Sequence, residues 1–271
     1  MGRFDNVAIL TDLDRTFLAD GTKVVKRNIE AIEYFKREGG LFSLATGRMH
    51  YNLDEIIPDV DKLVNAPAIM CNGTYFYDFS EKKVFGESYM NGDLAHRAVM
   101  SVRARHKSTL IRASYYGGYI VDSEDRHAAE ELDGYGIEAY VLVPYEKWQK
   151  NGWYKVVFGD DADTLVHVER ELSAEFPGVF EYNRSKPTLL EIQMRNTNKS
   201  SLFSSFKKYY AAKGKELTVY VCGDNENDIE LLRVADVAVC PSNAIDSVKA
   251  ICDKCLCSNN EGLIADLVYK L

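Results

Sequence analysis

Short apolar runs that end in polar residues, separated by segments with helical spacing, constrain the fold of this chain most strongly. The first run, VAIL (7–10), precedes a segment (26–38) whose apolar residues recur at helical intervals before two glycines. LFSLATGR (41–48) follows, then a second helix-like segment (52–57) and PAIMCNGTYFYD (67–78), which contains an Asn-Gly turn. Strands that alternate with helices predict a parallel sheet with helices on its faces.

The middle of the chain has a different pattern. Residues 81–190 combine helix-like segments with short β-like runs, such as WYKVVFG, in an order typical of α+β domains. The first pattern then returns, with a helical segment (200–213) and the run LTVYVCGD (217–224). The expected fold class is α/β, a Rossmann-like parallel-sheet core with helices on both faces plus an inserted α+β domain. We expect the core to comprise residues 1–80 and 191–271.

Charge and composition disfavour some classes of partner. The 271 residues carry a net charge of −8 and the pI is near 5.3, whereas nucleic-acid binding favours a basic surface. No apolar stretch approaches the roughly 20 residues of a membrane span, and the polar start does not resemble a signal peptide. We therefore expect a cytoplasmic protein without nucleic-acid or membrane partners. We also expect a monomer or a weak homodimer.

The six cysteines allow two interpretations. Cys252, Cys255 and Cys257 form a C-x-x-C-x-C cluster, and Cys240 lies upstream. Closely spaced thiolates can hold zinc or an iron–sulfur cluster. This spacing is loose, however, no histidine lies nearby, and KCLCS alternates like a short strand. We therefore expect reduced free thiols.

Unusual polar residues follow four of the expected core strands. In open α/β sheets, ligands bind outside the carboxyl ends of the strands, so residues at these positions share one edge. The residues concerned are Asp12 and Asp14; Thr46, Gly47 and Arg48; Asn72 and Gly73; and Gly223, Asp224, Asn227 and Asp228. Lys199, at the start of a helical segment, precedes the last group. We expect these residues to converge on one site.

These residue types point to phosphate chemistry with a metal ion. Several carboxylates at one edge repel one another unless some are protonated or a cation binds. Mg²⁺ suits such a site, because it takes oxygen ligands from one or two carboxylates, water and a substrate phosphate. Lys199, the Thr46 hydroxyl and backbone N–H groups would then suit the phosphate. One of Asp12 and Asp14 would act as nucleophile and the other as acid or base.

Single residues of this set also have purely structural interpretations. Taken alone, Asp12 and Asp14 are more typical of a solvated turn or a helix cap. Thr46 alone would be a helix N-cap, and Asp228 would cap the helical segment that follows it. The Asn-Gly pair would be only a turn. The functional interpretation therefore depends on the set as a whole.

The ordered motifs resemble those of the haloacid dehalogenase superfamily. DLDRT, ATGR, the Asn-Gly pair, Lys199 and GDNEND occur in that family's order and at its separations. More narrowly, the chain is similar to the Cof-type sugar-phosphate phosphatases, in which a large α/β cap lies between the second and third motifs. Residues 81–190 would be this cap. The resemblance covers nearly the whole chain, and the complete ordered set is highly specific.

The resemblance implies a role for each matched residue. Asp12 would attack phosphorus and bind Mg²⁺, and Asp14 would be the acid/base, with its backbone carbonyl on the metal. Lys199 would be catalytic with them, holding the phosphoryl group and steadying the Asp12 charge. The implied metal ligands are Asp12, Asp14, Asp224 and Asp228. The implied substrate- and phosphate-binding residues are Thr46, Gly47, Arg48, Asn72, Gly73 and Asn227. The cap would close over the core and select the leaving group.

The implied function is an Mg²⁺-dependent phosphatase that hydrolyses a small phosphomonoester, such as a sugar phosphate, through an aspartyl-phosphate. A phosphomutase or phosphotransferase on the same core is the enzymatic alternative, and a non-catalytic phospho-ligand binder is another. A binder would be expected to lose Asp12 or Lys199, and both are present. One departure favours it, because the family usually has glycine where this chain has Arg15. Arg15 either contacts the substrate or cap, or points to solvent without a role.

Overall fold

The computed structural model describes residues 2–125, 127, 130 and 139–271. Helices and strands alternate along much of this part of the chain, and the apolar residues of its two largest sheets are mostly buried. None of the helices in these ranges is long and apolar enough to cross a membrane.

The chain divides into two compact units. The core unit combines Met1–Glu87 with Asn198–Leu271, and the inserted unit is Ser88–Thr197. These divisions fall later than the expected ones, which lay after residues 80 and 190. The difference arises because strand Lys83–Phe85 still pairs within the core unit, whereas Leu189–Met194 belongs to the sheet of the inserted unit.

A five-stranded parallel sheet forms the centre of the core unit. Its strands in spatial order are Lys254–Leu256, Val237–Pro241, Thr218–Cys222, Val7–Thr11 and Leu41–Leu44. Strand Val7–Thr11 is almost wholly buried, as expected for a strand inside a parallel sheet. Its last residue, Thr11, pairs with Cys222 on one side and Leu44 on the other. This order brings the first polar motif next to the last one.

Helices and short turns connect these strands. The helices of the core unit are Lys26–Arg37, Leu53–Ile56, Val60–Leu63, Phe203–Ala211, Ile229–Val234, Asp246–Lys249 and Leu263–Lys270. The shorter elements are the π-helical turn Leu13–Phe17, the hairpin of Leu18–Ala19 with Lys23–Val24, and the 3₁₀ turns His50–Asn52, Glu226–Asp228 and Asn259–Glu261. The fold therefore alternates as the sequence predicts.

The Asn-Gly turn expected within residues 67–78 divides this segment into two strands. Residues 67–78 form two strands, Ala68–Met70 and Tyr75–Asp78, which pair antiparallel and add Lys83–Phe85 as a third. The chain reverses because Cys71 and Asn72 have positive φ angles. A parallel bridge pairs Ile69 of this small sheet with Ala45, the residue that follows strand Leu41–Leu44.

The inserted unit is an α+β domain, as expected. Its six-stranded mixed sheet has the order Tyr140–Val143, Gly118–Asp122, Leu110–Tyr115, Trp153–Gly159, Leu189–Met194 and Phe180–Lys186. Two helices, Gly92–Arg105 and Ala162–Glu175, accompany the sheet, and a 3₁₀ turn spans Tyr145–Lys147. Asn91 and Asp161 cap the two helices by accepting hydrogen bonds from backbone N–H groups. The parallel core with an α+β insertion confirms the predicted fold class.

Asn28 joins the two ends of the core unit. Its side chain is fully buried in helix Lys26–Arg37. The side-chain amide donates to the carbonyl of Phe17 at 3.3 Å and accepts from the N–H of Ala265 at 3.0 Å. Phe17 ends the turn after the first polar motif, and Ala265 lies in the C-terminal helix. One buried amide therefore holds both segments.

We expect Asn28→Ala to lower the free energy of unfolding by about 2 kcal/mol, because two buried backbone groups lose their partner. Asn260→Ala is a matched control, since this exposed amide also hydrogen-bonds the chain, at Asp20. It should change stability by less than about 0.5 kcal/mol. Urea unfolding measures both variants, and equal losses would contradict the assigned role of Asn28.

Gly73 allows a close contact between two distant loops. Its φ is +84°, and a Cβ at this position would lie 1.9 Å from the carbonyl oxygen of Asn198. The conformation and the contact both require glycine. Because Asn198 directly precedes Lys199, this contact fixes the segment that carries the lysine.

We expect Gly73→Ala to be more destabilising than the same change at Gly214. Gly214 has a similar φ of +77°, but no atom lies within 4 Å of the position that a Cβ would occupy there. Gly214→Ala should therefore cost only about 1 kcal/mol of conformational strain. The backbone clash should add at least about 2 kcal/mol at Gly73. Chemical unfolding of both variants measures the difference, and similar losses would show that the Asn198 contact is unimportant.

Candidate active site

Asp12 and Asp224 follow the adjacent central strands Val7–Thr11 and Thr218–Cys222. These strands are parallel, and Thr11 pairs with Cys222, so both aspartates lie at the same edge of the sheet. The N–H of Asp12 donates to the carbonyl of Cys222 at 2.8 Å and continues the pairing by one residue. The strand order therefore brings the first and last motifs together.

Lys199 lies between two carboxylates. Its Nζ is 2.5 Å from Oδ1 of Asp12 and 2.7 Å from Oδ1 of Asp228. The lysine side chain is 1% exposed, and both aspartates are buried. Charge-assisted hydrogen bonds of this kind are among the strongest polar contacts in proteins. The hydrogen bond from Lys199 holds the Asp12 carboxylate in place, and Lys199 is the counter-ion of Asp12.

Asp228 connects this ion pair to the following loop. It ends the 3₁₀ turn Glu226–Asp228, and its Oδ2 accepts from the backbone N–H groups of Asp224 and Asn225 at 3.0 and 3.2 Å. The other carboxylate oxygen, Oδ1, binds Lys199. Asp228 therefore acts as a cap and as a member of the cluster at the same time.

Asp12, Asp224 and Asp228 form a potential metal centre. One carboxylate oxygen from each lies within 4.8 Å of the others, and all three side chains are buried. In the described ranges, no other set of three or more histidine, cysteine or acidic residues meets this criterion. An all-oxygen donor set of this kind suits a hard cation such as Mg²⁺.

Burial and mutual repulsion alter the protonation of these groups. Burial, together with the charge of Asp228, raises the pKa of Asp224 to about 6. Burial also raises the pKa of Asp12 well above its usual range, although the charge of Lys199 opposes this. Burial alone would lower the pKa of Lys199, but the two neighbouring carboxylates outweigh it and raise the pKa, so Lys199 stays cationic. Three carboxylates around one ammonium leave an excess of negative charge.

The side chain of Asp14 lies apart from this cluster. It is half exposed and accepts two hydrogen bonds from Arg48, from Nε at 2.8 Å and Nη2 at 2.7 Å. The sequence placed Asp14 among the metal ligands and Arg48 among the substrate-binding residues. In this conformation, Asp14 can contribute to the metal centre only through its backbone.

Thr46 and Asn72 are held together by their backbones. Thr46 is buried, and its N–H donates to the carbonyl of Ile69 at 2.9 Å, while its own carbonyl accepts from the N–H of Asn72 at 2.9 Å. The Thr46 hydroxyl accepts from the N–H of Arg48 at 3.1 Å, so its own proton remains available to a ligand. Gly47 lies against Asn72, whose Oδ1 would be 2.8 Å from a Cβ at Gly47.

Asn227 is the expected site residue with the least support from geometry. It is half buried in the 3₁₀ turn that ends at Asp228. Its side chain makes no hydrogen bond with the carboxylates of the described residues. A role in phosphate binding therefore stays a prediction for Asn227.

Two residues of the site were missed by the sequence analysis. The Thr16 hydroxyl donates to Oδ1 of Asp224 at 3.1 Å and is fully buried. The side-chain amide of Asn243 donates to the carbonyl of Arg15 at 2.9 Å. Thr16 belongs to the DLDRT motif, which was a usable signal, but nothing in the sequence near Asn243 indicates this contact.

The cysteines are free thiols. Cys71, Cys222 and Cys240 are buried, Cys252 and Cys257 are half buried, and Cys255 is exposed. Cys240 and Cys255 pair across adjacent strands, which accounts for the alternation seen in KCLCS.

Comparisons with known proteins agree with this geometry. A family model described as haloacid dehalogenase-like hydrolase matches residues 9–268. The chain is 26% identical over 280 residues to pyridoxal phosphate phosphatase YbhA of Escherichia coli, which covers 96% of this chain and 97% of that protein.

Solved structures share the fold. A haloacid dehalogenase-like hydrolase from Bacteroides thetaiotaomicron has a TM-score of 0.84 at 20% identity, over 98% of this chain and 99% of that one. A sugar phosphatase of haloacid dehalogenase subclass IIB has a TM-score of 0.80 at 20% identity, over 97% and 98% of the two chains. The resemblance seen in the motifs is confirmed, and the expected class, a phosphoric monoester hydrolase, agrees with the curated relative. The chain belongs to the haloacid dehalogenase-like hydrolase family.

Proposed function

We propose that this protein is an Mg²⁺-dependent phosphatase that hydrolyses a small phosphorylated metabolite, such as a sugar phosphate, through an aspartyl-phosphate on Asp12. The observation that carries the proposal is the buried Asp12 carboxylate, bound to Lys199 at 2.5 Å beside two further carboxylates. The names of two similar proteins, a pyridoxal phosphate phosphatase and a sugar phosphatase, support the substrate class.

The donor set fits the proposed metal. Asp12, Asp224 and Asp228 would hold Mg²⁺ with carboxylate oxygens, and the backbone carbonyl of Asp14 would complete the protein ligands. When bound, Mg²⁺ supplies positive charge that offsets the carboxylates and the developing charge on the phosphoryl oxygens. Thr16 orients the Asp224 carboxylate through the hydrogen bond to Oδ1.

Asp12 would act as the nucleophile in the first step. A carboxylate oxygen of Asp12 bonds to phosphorus while the bond from phosphorus to the leaving alcohol oxygen breaks. That oxygen keeps the electron pair and takes a proton from Asp14. Lys199 holds Asp12 in place, and the Thr46 hydroxyl donates to the phosphoryl group.

Water would complete the reaction in the second step. Asp14, now a carboxylate, takes a proton from water as the water oxygen bonds to phosphorus. The bond from phosphorus to Asp12 breaks, phosphate leaves, and the Asp12 carboxylate is restored. Because Arg48 donates two hydrogen bonds to the Asp14 side chain, this pair has to open before Asp14 can deliver a proton.

We expect release of phosphate from sugar phosphates and pyridoxal phosphate with Mg²⁺, and no release with EDTA. Asp12→Asn should lower kcat by at least about 10³-fold, because the nucleophile is lost. Asp59→Asn is a matched control, since it neutralises an exposed carboxylate of the same unit. It should leave kcat unchanged. A malachite green assay for phosphate measures all these rates.

Other outcomes of these measurements, together with assays of phosphoryl transfer and of ligand binding, would identify the alternatives. Activity that survives Asp12→Asn would exclude the aspartyl-phosphate. Transfer of phosphate to a second sugar without release would identify a phosphomutase or phosphotransferase instead. Tight binding of phosphorylated ligands without any turnover would identify a binder.

We expect stabilisation by Mg²⁺ to increase as the pH rises from about 5 to about 7, because protons and the metal compete for Asp224. The pKa of about 6 exceeds that of an unfolded aspartate. At a pH between these two pKa values, Asp224 of the metal-free folded chain therefore holds a proton that the unfolded chain has released. This bound proton stabilises the metal-free folded chain, and the stabilisation is lost as the pH rises through about 6.

Thermal unfolding with excess MgCl₂ or with EDTA measures this dependence. The increase in Tm caused by Mg²⁺ should be larger at neutral than at acidic pH. Asp224→Asn should reduce the pH dependence, because one of the titrating groups is gone. A larger Mg²⁺ effect at acidic pH would contradict the assignment of Asp224.

A further inference from the structure

Among the described residues, three cationic side chains lie near the carboxylates of the site, and two of them make hydrogen bonds to these carboxylates. Lys199 binds Asp12 and Asp228, and Arg48 binds Asp14 with two hydrogen bonds. Arg15 differs. Its Nε lies 3.8 Å from Oδ2 of Asp224, which is too long for a hydrogen bond, and its side chain is 61% exposed.

The guanidinium of Arg15 has unused donors. Among the residues that the structure describes, none accepts a hydrogen bond from this group. An arginine presents five N–H donors in a planar fork that matches the two oxygens of a carboxylate or phosphate. Arg15 is therefore a cation at this site whose guanidinium donors are available to an anion.

The backbone of Arg15 is held in a defined position. Its φ of 62° and ψ of 8° lie in the left-handed region, within the turn Leu13–Phe17. The Arg15 carbonyl accepts from the side-chain amide of Asn243 at 2.9 Å, and Oδ1 of Asn243 accepts from the N–H of Asn259 at 2.9 Å. The side-chain amide of Asn243 is thus hydrogen-bonded through both its nitrogen and its oxygen. It holds the backbone from which the Arg15 side chain extends.

Stability does not account for arginine at this position. A left-handed conformation disfavours any residue with a Cβ relative to glycine. The contact with Asp224 is long, and the Arg15 side chain is largely exposed, so this contact stabilises the fold only weakly. Backbone strain of this kind is found most often at sites that bind or react.

We propose that Arg15 determines substrate specificity, and that its guanidinium binds a second anionic group of the substrate, a carboxylate or a further phosphate. This inference rests on the proposed phosphatase function. Lys199 and Thr46 serve the phosphoryl group that is transferred, so Arg15 is left for a different anion. The preferred substrate is then a phosphomonoester with another acidic group rather than a sugar phosphate whose only acidic group is the phosphate.

Matched pairs of phosphorylated compounds test this proposal. 6-Phosphogluconate and glucitol 6-phosphate differ in one carboxylate, and fructose 1,6-bisphosphate and fructose 6-phosphate differ in one phosphate. Each compound is measured as a competitive inhibitor of p-nitrophenyl phosphate hydrolysis with Mg²⁺. The wild type should bind at least one of the two compounds with an additional acidic group at least about tenfold more tightly than the partner that lacks this group, as expected for a charged hydrogen-bonded pair.

Arg15→Met should reduce this ratio to about one, because it keeps an unbranched, flexible side chain and removes the charge and the N–H donors. Arg15→Lys should retain part of the preference. Arg233→Met is the control, since it removes an exposed arginine of the core unit and should leave the ratio and the basal activity unchanged. A ratio of Ki values cancels any general loss of activity in the Arg15 variants.

A calorimetric titration with MgCl₂ alone distinguishes a role of Arg15 at the metal centre from a role in substrate binding. Equal weakening of both members of a pair, together with altered Mg²⁺ affinity in Arg15→Met, would assign Arg15 to Asp224 and overturn the proposal. Equal Ki values within each pair for the wild type would also overturn it. If the wild type hydrolyses neither p-nitrophenyl phosphate nor any of the four compounds, the proposed phosphatase function itself is wrong.

Discussion

The ammonium of Lys199, buried between Asp12 and Asp228, is the interaction on which the site depends. Without it, three buried carboxylates would have no counter-charge, and burying an uncompensated charge is strongly unfavourable. Several features of the fold hold this lysine in place. Gly73 allows close approach of the carbonyl of Asn198, which precedes Lys199. The 3₁₀ turn Glu226–Asp228 places Asp228 within hydrogen-bond distance of Lys199. One cation does not balance three carboxylates, and this imbalance is what makes the site suitable for a divalent metal ion.

Burial divides the charged residues of the site into two groups. Asp12, Asp224, Asp228 and Lys199 are buried and bound to one another or to the backbone, so their positions are fixed by the fold. Asp14, Arg15 and Arg48 are more exposed, and their contacts can be exchanged for contacts with a ligand. The buried group and Asp14 would carry the chemistry that phosphomonoesters share, and Arg15 and Arg48 would respond to the particular substrate. This division allows one core to serve different substrates.

The sequence predicted the parallel core and the meeting of Asp12 with Asp224, because strand ends in a parallel sheet lie at one edge. It did not predict the partner of Asp14, since the pair with Arg48 depends on side-chain conformations that motif spacing does not determine. Residues 67–78 formed a hairpin in a separate sheet, because an apolar run does not reveal which sheet it joins. The glycine that the family usually has at the position of Arg15 indicated a tight turn there, but the left-handed backbone of Arg15 and the amide of Asn243 that holds it were not predicted.

The chain order of the core has a consequence for folding during synthesis. Asp12 and Lys199 are 187 residues apart, and the strand Val7–Thr11 obtains its neighbour Thr218–Cys222 only after the inserted unit has been made. At typical translation rates of about 5–20 residues per second, this delay is about 10–40 seconds. During that time the strand Val7–Thr11 has only Leu41–Leu44 beside it, and Asp12 has neither Lys199 nor Asp228. The carboxylate cluster can therefore form only late in synthesis, after the whole inserted unit has been made.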